Sequence, residues 1–233
     1  MNLFYIPDIE NSSYLSEEES SHAVRVLRMK SGDRLFAIDG KGGFFEAEIA
    51  NPYPKHCEIN IINKKINFNK RNHYLHIAIA PTKNIERLEW FLEKATEIGI
   101  DEITPIICRF SERKNIKNER LEKVIVSAMK QSLKAYLPTL NPLTTFDDFL
   151  KNQQENTAKF IAHCYDDEKT LLKNAYQKGN NAVILIGPEG DFSKEEVEKA
   201  LNNNFKPISL GNSRLRTETA GIVACHTVNL LNE

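Results

Sequence analysis

No stretch of this 233-residue chain is apolar for long enough to cross a bilayer; the longest runs, such as Ala182 to Ile186, are far too short. The opening residues MNLFYIPDIE lack a basic segment followed by an apolar one, so no secretory signal is expected and the chain reads as cytoplasmic. The four cysteines, Cys57, Cys108, Cys164 and Cys225, are widely spaced, with no CxxC pair and no histidine at metal-ligand spacing. Each falls in a stretch that reads as regular structure, so the expectation is buried, reduced thiols and no bound metal. No internal repeat or low-complexity tract occurs. GxGxxG opening a helix is missing, and so is GxxxxGK followed by Ser or Thr, which argues against a dinucleotide-binding or P-loop enzyme. Gly40-Lys41-Gly42-Gly43 is a hairpin turn.

Hydrophobic residues make up 41% and charged residues 27%, as in an ordinary globular protein able to bury a core. The net charge of −1 exerts no overall pull toward nucleic acid, but its distribution is uneven. Residues 109 to 134 hold eight Lys/Arg against three Glu. Lys64, Lys65, Lys70 and Arg71 form a second basic segment, and Arg25, Arg28, Lys30 and Arg34 a third. Separated basic segments fit local contact with a polyanion, although charge runs more often are plain solvated faces.

The rhythm of the chain changes near residue 70. Ser16-Glu17-Glu18-Glu19 reads as a capping box opening a short helix that carries Ala23, Val24 and Leu27. Strands are expected at Arg34 to Asp39, Phe44 to Ile49 and Cys57 to Asn63, giving a small barrel over residues 1–68 and a linker at KKINFNKRN. Beyond it, residues 73–233 alternate strands with helices. Strands are expected at Tyr74 to Ala80, Glu102 to Cys108, Phe160 to Cys164, Val183 to Ile186 and Ile208 to Leu210. Helices are expected at Ile85 to Ile98 (ended by Gly99), Glu119 to Lys134, Lys169 to Gln177, from the Ser193/Glu196 capping box onward, and Thr217 to Leu231. Pro138 and Pro142 break the chain between them. This alternation predicts an α/β fold with a parallel sheet covered on both faces.

Two loops follow strands in the last fifty residues: Ile186-Gly187-Pro188-Glu189-Gly190-Asp191-Phe192, and Leu210 to Ala220, which reads LGNSRLRTETA. Ligands of open α/β sheets sit beyond the carboxyl ends of strands, and Gly187, Gly190 and Gly211 allow backbone to approach a ligand. Glycines after strands also simply make turns.

LIGPEGDFSKEEVEKA together with ISLGNSRLRTETAGIVA resembles the SPOUT superfamily of methyltransferases, and more narrowly the bacterial 16S ribosomal RNA uridine-N3 methyltransferases, the RsmE family. The likeness covers nearly the whole chain. HAVRVLRM (22–29) with Gly32-Asp33 looks like the family's PUA-like RNA-binding barrel. KATEIG (94–99), Ile103-Thr104-Pro105, Ser111-Glu112-Arg113 and AMKQS (128–132) look like parts of its catalytic domain. Two departures are visible: Met129 and Lys130 stand where Glu or Cys is common, and Asp191 replaces a Gly that commonly follows GPEG.

The resemblance implies a C-terminal trefoil knot, S-adenosylmethionine as cofactor, 16S rRNA of the small subunit as partner, and a homodimer. It implies cofactor contacts from His163, Ile186, Gly187, Pro188, Glu189, Gly190, Leu210, Gly211, Ser213, Leu215, Thr219 and Ala220. Deprotonating uridine N3 needs a base or groups that stabilise the developing anion. Arg214, Arg216 and Glu218 are the expected catalytic residues, with Glu189 an alternative proton acceptor. Arg25, Arg28, Lys64, Lys65, Arg109 and Arg113 are expected on RNA phosphates. His163 reads equally as a packed strand-end residue, and Glu218 as a carboxylate favoured by the first turn of a helix. A SPOUT enzyme acting on tRNA or ribose oxygen, an RNA-binding factor without catalysis, and a generic α/β enzyme are the competing readings.

Overall fold

A computed structural model describes residues 2–152 and 157–233. The chain divides into two compact units, Met1–Lys70 with Val126–Leu137, and Arg71–Ile125 with Pro138–Glu233. Segment 126–137 lies inside the second domain of the sequence reading, 73–233, but packs with the first unit. There Met129 and Ala135 are buried with Ile38, against Leu3, Tyr5, Phe44, Phe68 and Leu137.

In the first unit β1 (Leu3–Tyr5) is followed by α1 (Glu17–Ser21) and a π-helical turn (His22–Val26), then β2 (Arg34–Ile38), β3 (Phe44–Asn51) and β4 (Glu58–Lys65). The strands lie in the order β1-β2-β3-β4, with β1 and β2 parallel and the remaining pairs antiparallel. Alternation along β3 sends Phe45, Ala47 and Ile49 into a core with Phe4, Leu35, Ala37 and Ile59. The far edge of β4 is taken at its start by residues 13–15, through Ile59 N–H to Ser13 O and Leu15 N–H to Cys57 O. Both edges of the sheet are thus flanked by the first fifteen residues. Two expectations change here. Ser16 caps α1 through Glu19 N–H, but the Glu19 carboxylate is drawn away to Lys130 and Tyr5 N–H and does not close a capping box. Lys64 and Lys65, read as linker, are the last residues of β4.

The second unit carries β5 (Leu75–Ile79), α2 (Ile85–Ile98), β6 (Glu102–Ile107) and the first half of α3 (Asn118–Gln131). Then come β7 (Thr139–Leu140), β8 (Thr144–Thr145), α4 (Phe146–Lys151), β9 (Ala158–Ala162), β10 (Thr170–Leu171) and α5 (Leu172–Ala175). β11 (Ala182–Ile186), α6 (Lys194–Asn202), β12 (Lys206–Ser209) and α7 (Thr217–Asn232) complete it. The eight strands run in the order β10-β12-β9-β11-β5-β6-β7, with β8 beside β6, and every pairing is parallel. β11 is buried at all five positions, as a parallel strand covered on both faces must be. The expected long helix over 169–177 shrinks to Leu172–Ala175, because Thr170 and Leu171 pair with Ile208 and Ser209. The proline-broken stretch around 138–151 contains β7, β8 and α4, the helix capped by Thr145 on Asp148 N–H.

α7 packs on α2 at close quarters. A Cβ on Gly221 would stand 2.6 Å from the Phe91 ring and 3.1 Å from Ile79, so glycine here makes room for a neighbour. Three of the cysteines are buried as expected, but Cys164 is exposed, since it lies beyond the end of β9.

Candidate active site

β12, β9 and β11 are neighbours in the sheet and all point the same way, so the loops after their carboxyl ends converge. The loop after β9 begins at His163 and Cys164. His163 is only 7% exposed, and its Nδ1 has no hydrogen-bond partner among the described residues. Burial, reinforced by the nearby Lys169 ammonium, holds its pKa below the usual histidine value, so the ring is neutral. Lys169 in turn is held by the carbonyls of His163 and Tyr165.

The loop after β11 turns sharply on a Pro188 carbonyl to Asp191 N–H bond of 2.9 Å. Asp191 has φ +66°, a conformation that glycine adopts freely and that costs other residues about 1 kcal/mol. Its carboxylate offsets that cost by accepting from Cys164 N–H at 2.7 Å and from Phe192 N–H at 2.8 Å. The departure from the GPEG-Gly pattern is therefore accommodated, and the carboxylate ties the first loop to the second. Burial and the Asp191 charge both push the Cys164 thiol pKa up, so it is not a nucleophilic thiolate. Phe192 is fully buried against Gly187. Glu189 stays exposed while accepting from Lys83 N–H at 3.0 Å.

The third loop, from Leu210 to Arg216, is opened by Gly211 at φ +134° and by Ser209, whose hydroxyl bridges both the N–H and the carbonyl of Gly211. Arg214 and Arg216 are exposed. Thr217 anchors the start of α7 to the second loop through its hydroxyl on Gly187 O at 3.0 Å.

These loops enclose two adjoining cavities. One, about 510 Å³, lies between the first and third loops, against His163, Lys169, Ser209, Gly211 and Ser213. The other, about 360 Å³, lies between the second and third, against Gly187, Pro188, Glu189, Gly190 and Arg216. Ala162, Cys164, Arg214, Leu215 and Ala220 wall both. Of the residues expected here, His163, Ile186, Gly187, Pro188, Glu189, Gly190, Leu210, Gly211, Ser213, Arg214, Leu215, Arg216 and Ala220 line one cavity or both.

Glu218 and Thr219 do not line either. Glu218 is 7% exposed and turned inward, its Oε1 3.8 Å from Arg87 Nε and its Oε2 without a partner among the described residues. The expected RNA-binding cations of the first unit lie apart from one another. Arg25 and Arg28 are exposed beside the loop whose Gly32 bonds Ile49 O, whereas Lys65 pairs with Phe44 at the opposite end of β3. Lys64 is paired with Glu10. Arg109 is exposed, but Arg113 is spent on the carbonyls of Thr82 and Lys83, at 3.0 and 2.6 Å. Cys164 and Asn212 fall in the loops expected to meet the ligand and do line the first cavity, whereas Lys169 was missed; nothing local marks it, because its place beside the end of β9 is set by tertiary packing.

Among the described residues no group of three or more His, Cys, Asp or Glu could hold a metal, and no helix is long and apolar enough to cross a membrane. The RNA methyltransferase domain family matches residues 69–229, and the RNA methyltransferase PUA domain family matches residues 15–62. Ribosomal RNA small subunit methyltransferase E of Rickettsia conorii is 32% identical over 227 residues, 95% of this chain and 91% of that protein. A probable rRNA-methyltransferase from Porphyromonas gingivalis, seen in a crystal structure, is 45% identical with a TM-score of 0.94, covering 100% of this chain and 98% of that one. A methyltransferase from Legionella pneumophila, solved with bound SAM, is 28% identical with a TM-score of 0.85, covering 99% and 97%. With its fold, its converging loops and both family matches in agreement, the chain belongs to the RNA methyltransferase family, with a PUA domain ahead of the methyltransferase domain.

Proposed function

We propose that this protein transfers a methyl group from S-adenosylmethionine to N3 of a uridine in 16S rRNA of the small ribosomal subunit, in the cytoplasm and as a homodimer. The observation that carries this reading is the pair of adjoining cavities at the carboxyl ends of β9, β11 and β12, one sized for a nucleoside and one lined by carboxylate and guanidinium groups. The residues fit the cofactor. Ile208, Leu210 and Leu215 offer apolar wall, and the glycine-rich backbone leaves main-chain N–H and C=O groups to read a purine edge. The unpartnered Nδ1 of buried His163 is one further polar atom available to a ligand. The buried Thr217 at the start of α7, bonded to Gly187 O, is consistent with the knot implied by the resemblance, and the large apolar residues Trp90 and Leu230 exposed on the mutually packed α2 and α7 support the dimer.

When bound, the cofactor supplies an electrophilic methyl group on a sulfonium. The protein's part is alignment and proton handling. Arg214 and Arg216, exposed at the cavity wall, neutralise charge that develops on the uracil as N3 loses its proton, or clamp the adjoining phosphate. Of the two carboxylates at that wall, Asp191 is held by the N–H groups of Cys164 and Phe192, and the exposed Glu189 takes the proton directly or through water. Glu218, buried behind the first turn of α7, acts through Arg87 and the placement of that turn.

Labelled methyl transfer to unmodified small ribosomal subunits, with the product nucleoside identified by mass spectrometry, tests the reading. 3-Methyluridine in 16S RNA is the expected product. Another methylated nucleoside would move the chain to a different RNA target, and absence of cofactor binding would leave only an RNA-binding role.

A further inference from the structure

The geometry points to Phe110 as the platform on which the acceptor base stacks, an aromatic floor at the rim of the second cavity that positions an extruded nucleobase. This rests on the methyltransferase reading above and adds to it a substrate contact outside the cofactor loops.

Phe110 follows β6 and is 48% exposed, and its surroundings hold it in that position. The segment around it is pinned at every step. Cys108 N–H donates to Ser111 Oγ at 2.9 Å, and Ser111 N–H returns to Cys108 O at 3.1 Å. Arg109 N–H donates to the buried Glu196 carboxylate at 2.7 Å, and Arg113 clamps the Thr82 and Lys83 carbonyls. A ring on so rigid a turn is presented, not frayed out of a core.

Its neighbour is the cavity loop itself. A Cβ on Gly190 would lie 2.9 Å from Phe110 Cβ. Gly190 is not one of the residues with positive φ, so backbone conformation does not demand glycine at this position. The missing side chain instead lets Phe110 close on the lip of the cavity that Gly190 lines. Arg109 is exposed next to it in sequence, and Arg214 and Arg216 line the same cavity as Gly190, which supplies cations for the phosphodiester strand that carries the base. Enzymes that act on a base must unstack it, and an aromatic face replaces the lost neighbour for any base.

The test measures methyl transfer to small ribosomal subunits for the wild-type protein, Phe110→Ala, Phe110→Leu and Phe110→Tyr, with cofactor affinity by titration and mass by light scattering. Phe110→Ala and Phe110→Leu are expected to lose about 10- to 100-fold in kcat/KM for RNA, by loss of one base stack, with cofactor affinity within about twofold of wild type. Phe110→Tyr, which keeps the π face, is expected to restore the rate; if Phe110→Ala does not fold, the Leu and Tyr pair still decides. Unchanged kcat/KM in the Leu variant overturns the inference. So does an equal loss of cofactor affinity, which would make the ring cavity wall, or a change in oligomeric mass, which would make it a subunit contact. An inactive wild type instead sinks the methyltransferase reading, and the stacking role with it.

Discussion

The backbone N–H of Cys164 donates to the carboxylate of Asp191 across 2.7 Å, joining two loops that are 27 residues apart. Because Asp191 also sits at φ +66°, replacing it separates two effects. Asp191→Ala keeps the strain and loses both carboxylate bonds, and is expected to destabilise the protein by about 2–3 kcal/mol and to weaken cofactor binding. Asp191→Gly relieves the strain while losing the same bonds, so its stability loss should be smaller by about 1 kcal/mol. Thermal melting and cofactor titration of the two variants check this; equal losses would mean that the left-handed backbone carries no cost here.

The histidines set a second expectation. Burial holds His73, His76 and His163 below their usual pKa, which for His73 is reinforced by Arg71 and for His163 by Lys169. The unfolded chain therefore binds protons that the folded one refuses. Stability should be full above the ordinary histidine pKa of about 6.5 and fall as the solution is acidified below it, toward the depressed folded values. Melting curves at pH 7.5, 6.0 and 5.0 should show this drop, and His163→Gln should make it shallower. A flat profile above pH 5 would contradict the assignment.

Gly221 leaves no space for a methyl group. Gly221→Ala is expected to push α7 off the Phe91 ring and to cost about 1–3 kcal/mol, despite alanine's better helix propensity. Adding Phe91→Leu should recover part of that loss in a double-mutant cycle, whereas strictly additive losses would place the strain elsewhere.

The two candidate carboxylates separate kinetically. Glu189→Gln is expected to lower kcat by about 100-fold or more, the ordinary contribution of a general base, with cofactor affinity little changed. Glu218→Gln should cost less in kcat and leave the melting temperature equal or higher, because it removes a buried carboxylate whose Oε2 has no partner among the described residues. The reverse order of kcat losses would make Glu218 the proton acceptor.

On RNA, four of the six expected cations are exposed and in no ion pair among the described residues: Arg25, Arg28 and Lys65 in the first unit and Arg109 in the second. If all four meet phosphates, affinity should fall about 100-fold between 50 and 200 mM salt. Arg25→Ala with Arg28→Ala should reduce the slope of that dependence by roughly two. Arg113→Ala should instead lower stability, since its guanidinium holds the carbonyls of Thr82 and Lys83. An unchanged slope in the double variant would remove these two arginines from the interface.

Elements with strong local signals were legible beforehand. α2 begins at Ile85 and ends at Ile98 as its spacing and Gly99 predict, and the Ser193/Glu196 capping box is present with both bonds. Short elements were not. β7, β8 and β10 have two residues each, too few for any periodicity to register, and they exist because a neighbouring strand supplies their hydrogen bonds. α4 could have been found, since Thr145 with Asp148 is a capping pattern, but Pro138 and Pro142 drew the reading toward a break.

The sequence by itself determined the class of the fold, the glycine-bearing loops after β11 and β12, and the family, because hydrophobic period, capping residues and turn glycines act over a few neighbouring positions. Only the tertiary structure decided which of those pieces meet. The order β12-β9-β11 brings His163, Gly187 and Arg214 around two adjoining cavities, while Glu218 turns inward, Cys164 faces out and Arg113 is consumed as a backbone clamp. Parallel strand order is set by how the crossover helices pack over the sheet, and a side chain's availability is set by what long-range packing leaves unpaired. Both are energies summed over residues far apart in the chain, which no local pattern records.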